Sequence, residues 1–109
     1  MVVKMRILKV IVLEGLRERV QGLLGFRKAY PVLLKTRFGI HTVGLRFPID
    51  VAVLDSDFRV VKITQNMKPN RVFFWMPVYN HVLELPAGDI RRYGICVGEK
   101  IGIEAVKRK

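Results

Sequence analysis

The sequence predicts a mainly β protein: a compact antiparallel β sandwich or barrel of the jelly-roll type, with one short N-terminal helix and a helical turn near the C-terminus. Three observations carry that expectation. Apolar runs of strand length recur along the chain, turn-forming residues separate them, and one early stretch has helical periodicity. A chain of 109 residues makes a single domain, residues 1–109, long enough to bury a core without staples. Half of its residues are hydrophobic, which excludes disorder.

The elements follow in order. Residues 3–7 alternate as Val-Lys-Met-Arg-Ile, the period of a half-buried strand, and residues 10–13 extend it as a more buried one. Leu16, Val20, Leu23 and Leu24 fall at i, i+4, i+7 and i+8, which predicts a short amphipathic helix ended by Gly25. Residues 30–34 form the next apolar run. Residues 49–54 and 58–64 flank Asp55-Ser56-Asp57 and read as a hairpin around an Asx-rich turn. Residues 66–71 contain Pro69 and Asn70 and read as a loop. Residues 72–76 and 82–85 are further strands, separated by Pro77 and Asn80. Asp89 is placed to cap one helical turn through Tyr93, with Gly94 closing it, and residues 101–106 supply the last strand.

The net charge of +11, from 20 Lys and Arg against 9 Asp and Glu, favours phosphates and anionic surfaces as partners. The cations are scattered, however, from Arg17 and Arg19 through Lys35 and Arg37 to Arg91, Arg92 and the tail Lys107-Arg108-Lys109, so the plain reading is a solubilising surface. The lone Cys96 excludes a disulfide framework and, between Ile95 and Val97, reads as a small buried apolar residue. Lys4, Arg6 and Lys9 interrupt the first apolar residues, leaving no run long enough for a signal peptide or a membrane span. The expectation is a soluble cytoplasmic protein, and the scarcity of Asn, Gln, Ser and Cys points to a thermophilic source.

The most informative stretch is residues 40–55, where His41, Thr42, Arg46 and Asp50 interrupt a segment apolar enough to be core. Polar groups in such a place cost free energy unless they are paired. Asp50, between Ile49 and Val51, needs a partner or a proton. Arg46 lies four residues earlier, on the same face if the strand stays extended through Pro48. His41 and Thr42 either present an imidazole and a hydroxyl to a ligand or pin the loop after Gly39. Glu84 alternates with Leu83 and Leu85 and reads as an exposed edge residue, or else as a partner of Arg37 or Arg46.

Three motifs in one order carry a resemblance. Arg19 followed by Gly22-Leu23-Leu24-Gly25, then residues 40–42 through Arg46-Phe47-Pro48-Ile49-Asp50, and finally residues 82–88 with Gly94 and Gly98, resemble the DUF192 family (also called UPF0127). Val43 and Leu45 stand where that family often carries Phe and Met, and Glu99 where it usually has Asp. The resemblance implies a compact, mainly β fold of the sandwich or jelly-roll type. It implies no established activity.

No catalytic motif is present, so an enzyme is the less favoured class and no cofactor is expected. Ser56, the only serine, sits in a turn, and His41, His81 and Cys96 lack zinc-site spacing. Residues 94–100 lack the spacing and the Lys-Ser/Thr ending of a phosphate loop and read as a tight turn. Phe73-Phe74-Trp75 beside Arg71 can stack nucleic-acid bases, but alternation turns at most two of the three to one surface, and the favoured reading is core on one side and a loop-covered contact on the other. The leading expectation is a binding module for a small polar or anionic ligand, lined by His41, Thr42, Arg46, Asp50 and Glu84, with no metal. Nucleic-acid binding through the basic surface is the alternative. A small hydrolase using His41 and Asp50 is a second one and requires both side chains to converge on an open cleft.

Overall fold

The structure is a computed structural model that describes residues 6–13, 30–35, 39–43, 45–75, 78–79 and 81–106. Its elements in chain order are β1 (Arg6–Leu13), β2 (Val32–Lys35), β3 (Gly39–His41), β4 (Ile49–Leu54), β5 (Val60–Met67), β6 (Val72–Phe74), β7 (His81–Pro86), α1 (Asp89–Arg92) and β8 (Ile101–Val106). Six strands form one sheet in the order β5-β4-β7-β2-β1-β8, and β3 pairs with β6 in a separate two-stranded ribbon. Among the described residues the fold is β-rich with little helix. The helix expected over residues 16–24 lies outside the described residues.

The sheet is mixed rather than wholly antiparallel. The pairs β5–β4, β4–β7 and β7–β2 are antiparallel, but β1 runs parallel to both β2 and β8. The antiparallel expectation came from turn residues between neighbouring runs, and such turns report only hairpin connections. The β4–β5 hairpin is one of these: Asp55 Oδ1 accepts the N–H groups of Asp57 and Arg59, both at 2.9 Å, and fixes the turn. The pairing of β1 with β8 joins the two ends of the chain and leaves no local signature. The sheet edges meet at one end, where Arg59 bridges Lys100 and the Val60 N–H donates to Glu99 O at 2.8 Å. This contact curls the sheet.

Strand β4 explains the layering. All six of its residues are buried, so it has core on both faces, as its near-continuous apolar run requires. Ile49, Val51 and Val53 join Val32, Leu34, Val82, Leu45, Met67 and Trp75 in one cluster, against which Ile40, Phe47 and Phe73 pack from the ribbon side. Ala52 and Leu54 join Leu8, Val10, Leu33, Leu83, Leu85 and Ile101 on the other face, closed by Ile90 and Ile95 around α1.

Two local readings change. Asp89 does not cap α1. Gly88 occupies the N-cap with φ 97° and brings no side-chain hydrogen bond, so the acceptor comes from elsewhere in the fold. The helix end is as expected: the Gly94 N–H donates to Arg91 O and the Ile95 N–H to Ile90 O, with Ile90 and Ile95 both in the core, a Schellman closure. Cys96 is exposed rather than buried, because Ile95 takes the inward position. None of the described helices is long and apolar enough to cross a membrane.

The ribbon depends on Gly39. A Cβ there would stand 2.5 Å from the Phe73 carbonyl oxygen and 2.8 Å from Cδ1 of Phe74. The backbone oxygen cannot yield, so Gly39→Ala is expected to destabilise the protein by about 2 kcal/mol in chemical denaturation, as overpacking does. An unchanged midpoint would show that the two strands separate without cost.

Candidate functional site

Two buried polar residues organise one region of the molecule. Asp50 has no solvent exposure. Its Oδ1 accepts the Asn66 N–H at 2.8 Å, and its Oδ2 accepts the Gly88 and Ile90 N–H groups at 3.0 and 2.9 Å. The Asn66 contact follows from the register. Ile49 pairs with Met67 but Val51 with Thr64, so β5 carries one extra residue there, a bulge in which Asn66 takes the left-handed conformation at φ 53°. The bulge turns the Asn66 N–H toward Asp50. The same carboxylate serves as the missing N-cap acceptor of α1.

Thr42, also fully buried, is the second anchor. Its Oγ1 donates to Lys68 O at 2.7 Å and accepts the Arg71 N–H at 2.8 Å. Its own N–H donates to Arg71 O at 2.8 Å, and its carbonyl accepts the N–H groups of Leu45 and Asn70, each at 3.1 Å. Thr42 therefore fixes both ends of the 68–71 loop, in which Asn70 is again left-handed at φ 64°.

Between these anchors lies an open groove of about 310 Å³, lined by Thr64, Gln65, Asn66, Met67, Lys68, Arg71, Val72 and Phe73. Met67 is buried and Phe73 half-buried, giving an apolar floor, while Gln65, Asn66, Lys68 and Arg71 are exposed around it. Lys62 stands close by, its Nζ 4.8 Å from the centre of the Phe73 ring and donating to Phe74 O at 2.8 Å. The Trp75 indole N–H donates to Tyr79 O at 2.7 Å, which fixes the end of the ribbon. Positions 39–49 and 58–83, which build the ribbon and the groove, contain no Asp or Glu and carry Arg46, Arg59, Lys62, Lys68 and Arg71. Formal charge along these stretches is positive, with the buried Asp50 carboxyl bonded beneath Asn66.

The five residues singled out from the sequence do not share one cavity. Asp50 pairs across the sheet with Leu85, whereas Glu84 pairs with Val51 and Val32, so the two carboxyl groups lie on opposite faces. His41 is exposed at the end of β3 opposite Val72, and Arg46 is exposed in the following loop. The Asp50 carboxylate is held by backbone N–H groups rather than by Arg46. Being wholly buried, it cannot converge with His41 on an open cleft, as a His41–Asp50 hydrolase requires. Glu84 is not an edge residue: β7 lies inside the sheet, between β2 and β4. Arg37 lies outside the described residues. Among the described residues, no group of three His, Cys, Asp or Glu side chains is arranged to hold a metal ion.

Asn66 and Lys68 are not among the site residues the sequence predicts, because residues 66–71 read as a loop. The signal that marks them is a polar strand end, Thr64-Gln65-Asn66, running into Lys68 and Arg71 with no acid nearby.

Among the described residues, three titrating groups are perturbed. Burial pushes Glu84 up to about 7, with no neighbouring cation among the described residues to offset it. Burial also raises Asp89; Arg92 opposes that effect and Asp50 adds to it. His81 is lowered by burial and by Lys35; its ring stands edge-on to Phe58, 5.3 Å between centres, with Nδ1 buried and unbonded among the described residues.

The fold and the site together define a β-rich domain, a curled mixed sheet with a buried polar framework behind an open cationic groove. The chain belongs to the DUF192 family, whose model, described as Uncharacterized ACR, matches residues 4–103. Two crystal structures share the fold. A protein of unknown function from Novosphingobium aromaticivorans DSM 12444 is 20% identical with a TM-score of 0.72, covering 82% of this chain and 70% of that one. A candidate transcription regulator from Sinorhizobium meliloti 1021 is 25% identical with a TM-score of 0.75, covering 84% and 78%. None of the curated proteins matches the sequence.

Two outcomes test the framework. Asp50→Ala leaves three backbone donors without their acceptor and is expected to cost about 3 kcal/mol or more in denaturant unfolding. Asp50→Asn should not rescue it, because a carboxamide can direct only one oxygen at three N–H groups. For Glu84, both states are protonated below pH 4.5, its ordinary value, and burial then costs nothing extra. Between 4.5 and about 7 the unfolded chain ionises while the folded one holds its proton, so stability falls as pH rises. The loss, about 3 kcal/mol in all, is complete above the folded value. Glu84→Gln should remove that dependence, and subtracting its pH profile from the parent's separates Glu84 from His81, which destabilises in the opposite direction as pH falls.

Proposed function

We propose that this protein is a binding module for a small anionic ligand, seated in the groove between the β5 bulge and the start of β6. The observation that supports this most is the joining of Lys68, Arg71 and exposed amide side chains over an apolar floor, with the backbone beneath locked by Thr42 and Asp50. A site whose walls cannot relax loses little entropy on binding. In this reading Thr42 and Asp50 hold the site without touching the ligand. His41 and Arg46 add to the exposed polar surface of the ribbon and its following loop, and Glu84 lies buried on the sheet face beneath the ribbon. The exposed thiol of Cys96 fits a reducing, cytoplasmic setting.

Nucleic acid is a second reading of where the anion comes from. It is favoured by the acid-free stretches around the groove and by the description of the Sinorhizobium meliloti structure as a candidate transcription regulator.

Calorimetric titration with phosphate, pyrophosphate and citrate tests the groove. Binding of pyrophosphate is expected, weakened about tenfold or more in a Lys68→Gln/Arg71→Gln variant, since each charge-assisted contact is worth that much. Both side chains are exposed, so the variant should keep the parent's unfolding midpoint. Equal affinity in parent and variant would exclude the groove.

A further inference from the structure

We propose that the outer face of the β3–β6 ribbon and the adjoining groove bind single-stranded nucleic acid, with a base stacked on Phe74 and a neighbouring phosphate held by Lys68 and Arg71. This rests on the groove reading and takes its anion from a polynucleotide, the second of the two sources, instead of a small ligand. Alternation along β6 turns Phe73 inward and leaves Val72 and Phe74 outward, 61% and 64% exposed. The register places His41 opposite Val72 and Gly39 opposite Phe74 on that outer face. Because Gly39 has no side chain, the Phe74 ring rests against the β3 backbone, which orders it while leaving it open to solvent.

An exposed aromatic lying over the β3 backbone, with an imidazole on the same face, offers a stacking platform, and every base has a face to offer it. Val72 connects platform and groove. It lines the groove and lies two residues from Phe74, about 7 Å along the strand, a distance one nucleotide spans. Charge selects the occupant. An apolar patch on a protein partner would meet Lys62, Arg71 and Lys68 with no acid among them, whereas a polyanion gains from all three. Duplex fits poorly, since its bases are already stacked on one another and offer the Phe74 ring no free face.

The test is fluorescence anisotropy of a labelled deoxythymidine strand of about 12 nucleotides, run with the full chain at about 50 mM salt and upward. The expected result is binding that weakens with salt, is stronger for the strand than for a duplex of equal length, and falls about tenfold in Phe74→Ala. Phe74→Trp should restore it, and pyrophosphate affinity should not change in either variant. Phe74→Leu, which keeps an apolar side chain over Gly39, provides the same comparison should Phe74→Ala fail to fold.

Absence of binding at low salt overturns the proposal, as does equal affinity of Phe74→Ala and the parent. Equal competition by a sulfated polysaccharide would reduce it to charge alone and overturns it too. Sedimentation showing a dimer that Phe74→Ala dissolves would assign the face to a second copy instead. Loss of pyrophosphate binding in the Lys68→Gln/Arg71→Gln variant, with Phe74→Ala neutral, overturns this inference and leaves the groove reading standing. Indifference of both ligands to Lys68 and Arg71 overturns the groove reading itself.

Discussion

The carboxylate of Asp50 is the constraint on which the rest of the site depends. It is buried without solvent contact and reaches three backbone N–H groups from two distant parts of the chain. A buried carboxyl group is tolerated in such a place because each oxygen is met by backbone donors. The bulge in β5 frees the Asn66 N–H, and the start of α1 frees those of Gly88 and Ile90. One side chain thereby fixes the relative positions of a sheet edge and a helical turn, and neither needs a capping residue of its own.

Thr42 does for the 68–71 loop what Asp50 does for the bulge. Its hydroxyl is both donor and acceptor, and its backbone donor and acceptor are used as well. The two anchors converge on the backbone of Asn66, Lys68 and Arg71, whose side chains are exposed, that of Arg71 donating to Asn70 O at 3.3 Å. Two non-glycine residues in left-handed conformations, Asn66 and Asn70, mark where the chain is forced around the groove. This held backbone beneath exposed cations is the basis of the proposed anion site.

The sequence already marked this region as unusual, for the right physical reason: His41, Thr42, Arg46 and Asp50 stand where an apolar strand and its approach should carry no polar groups. What it left open was which polar groups face a ligand. Thr42 and Asp50 answer to the backbone, and the exposed cations next to them fell in a stretch with only turn signals. Glu84 was harder still. Alternation gave its face correctly as opposite to Leu83 and Leu85, but exposure depends on what covers that face, and the burial of β7 between β2 and β4 is a property of sheet order.

By itself the sequence determined the hairpin around Asp55, the Gly94 end of α1, the β-rich class and the family, because periodicity, turn residues and short motifs are local, whereas β5 starts at Val60 and runs through Met67, into residues expected as loop. Tertiary structure alone decided that β1 runs parallel to β2 and β8, that Asp50 rather than Asp89 caps α1, and that a groove opens beside the β5 bulge. Each of these joins groups far apart along the chain. No window of sequence contains both partners of such a contact, so only the folded arrangement brings them within hydrogen-bonding distance.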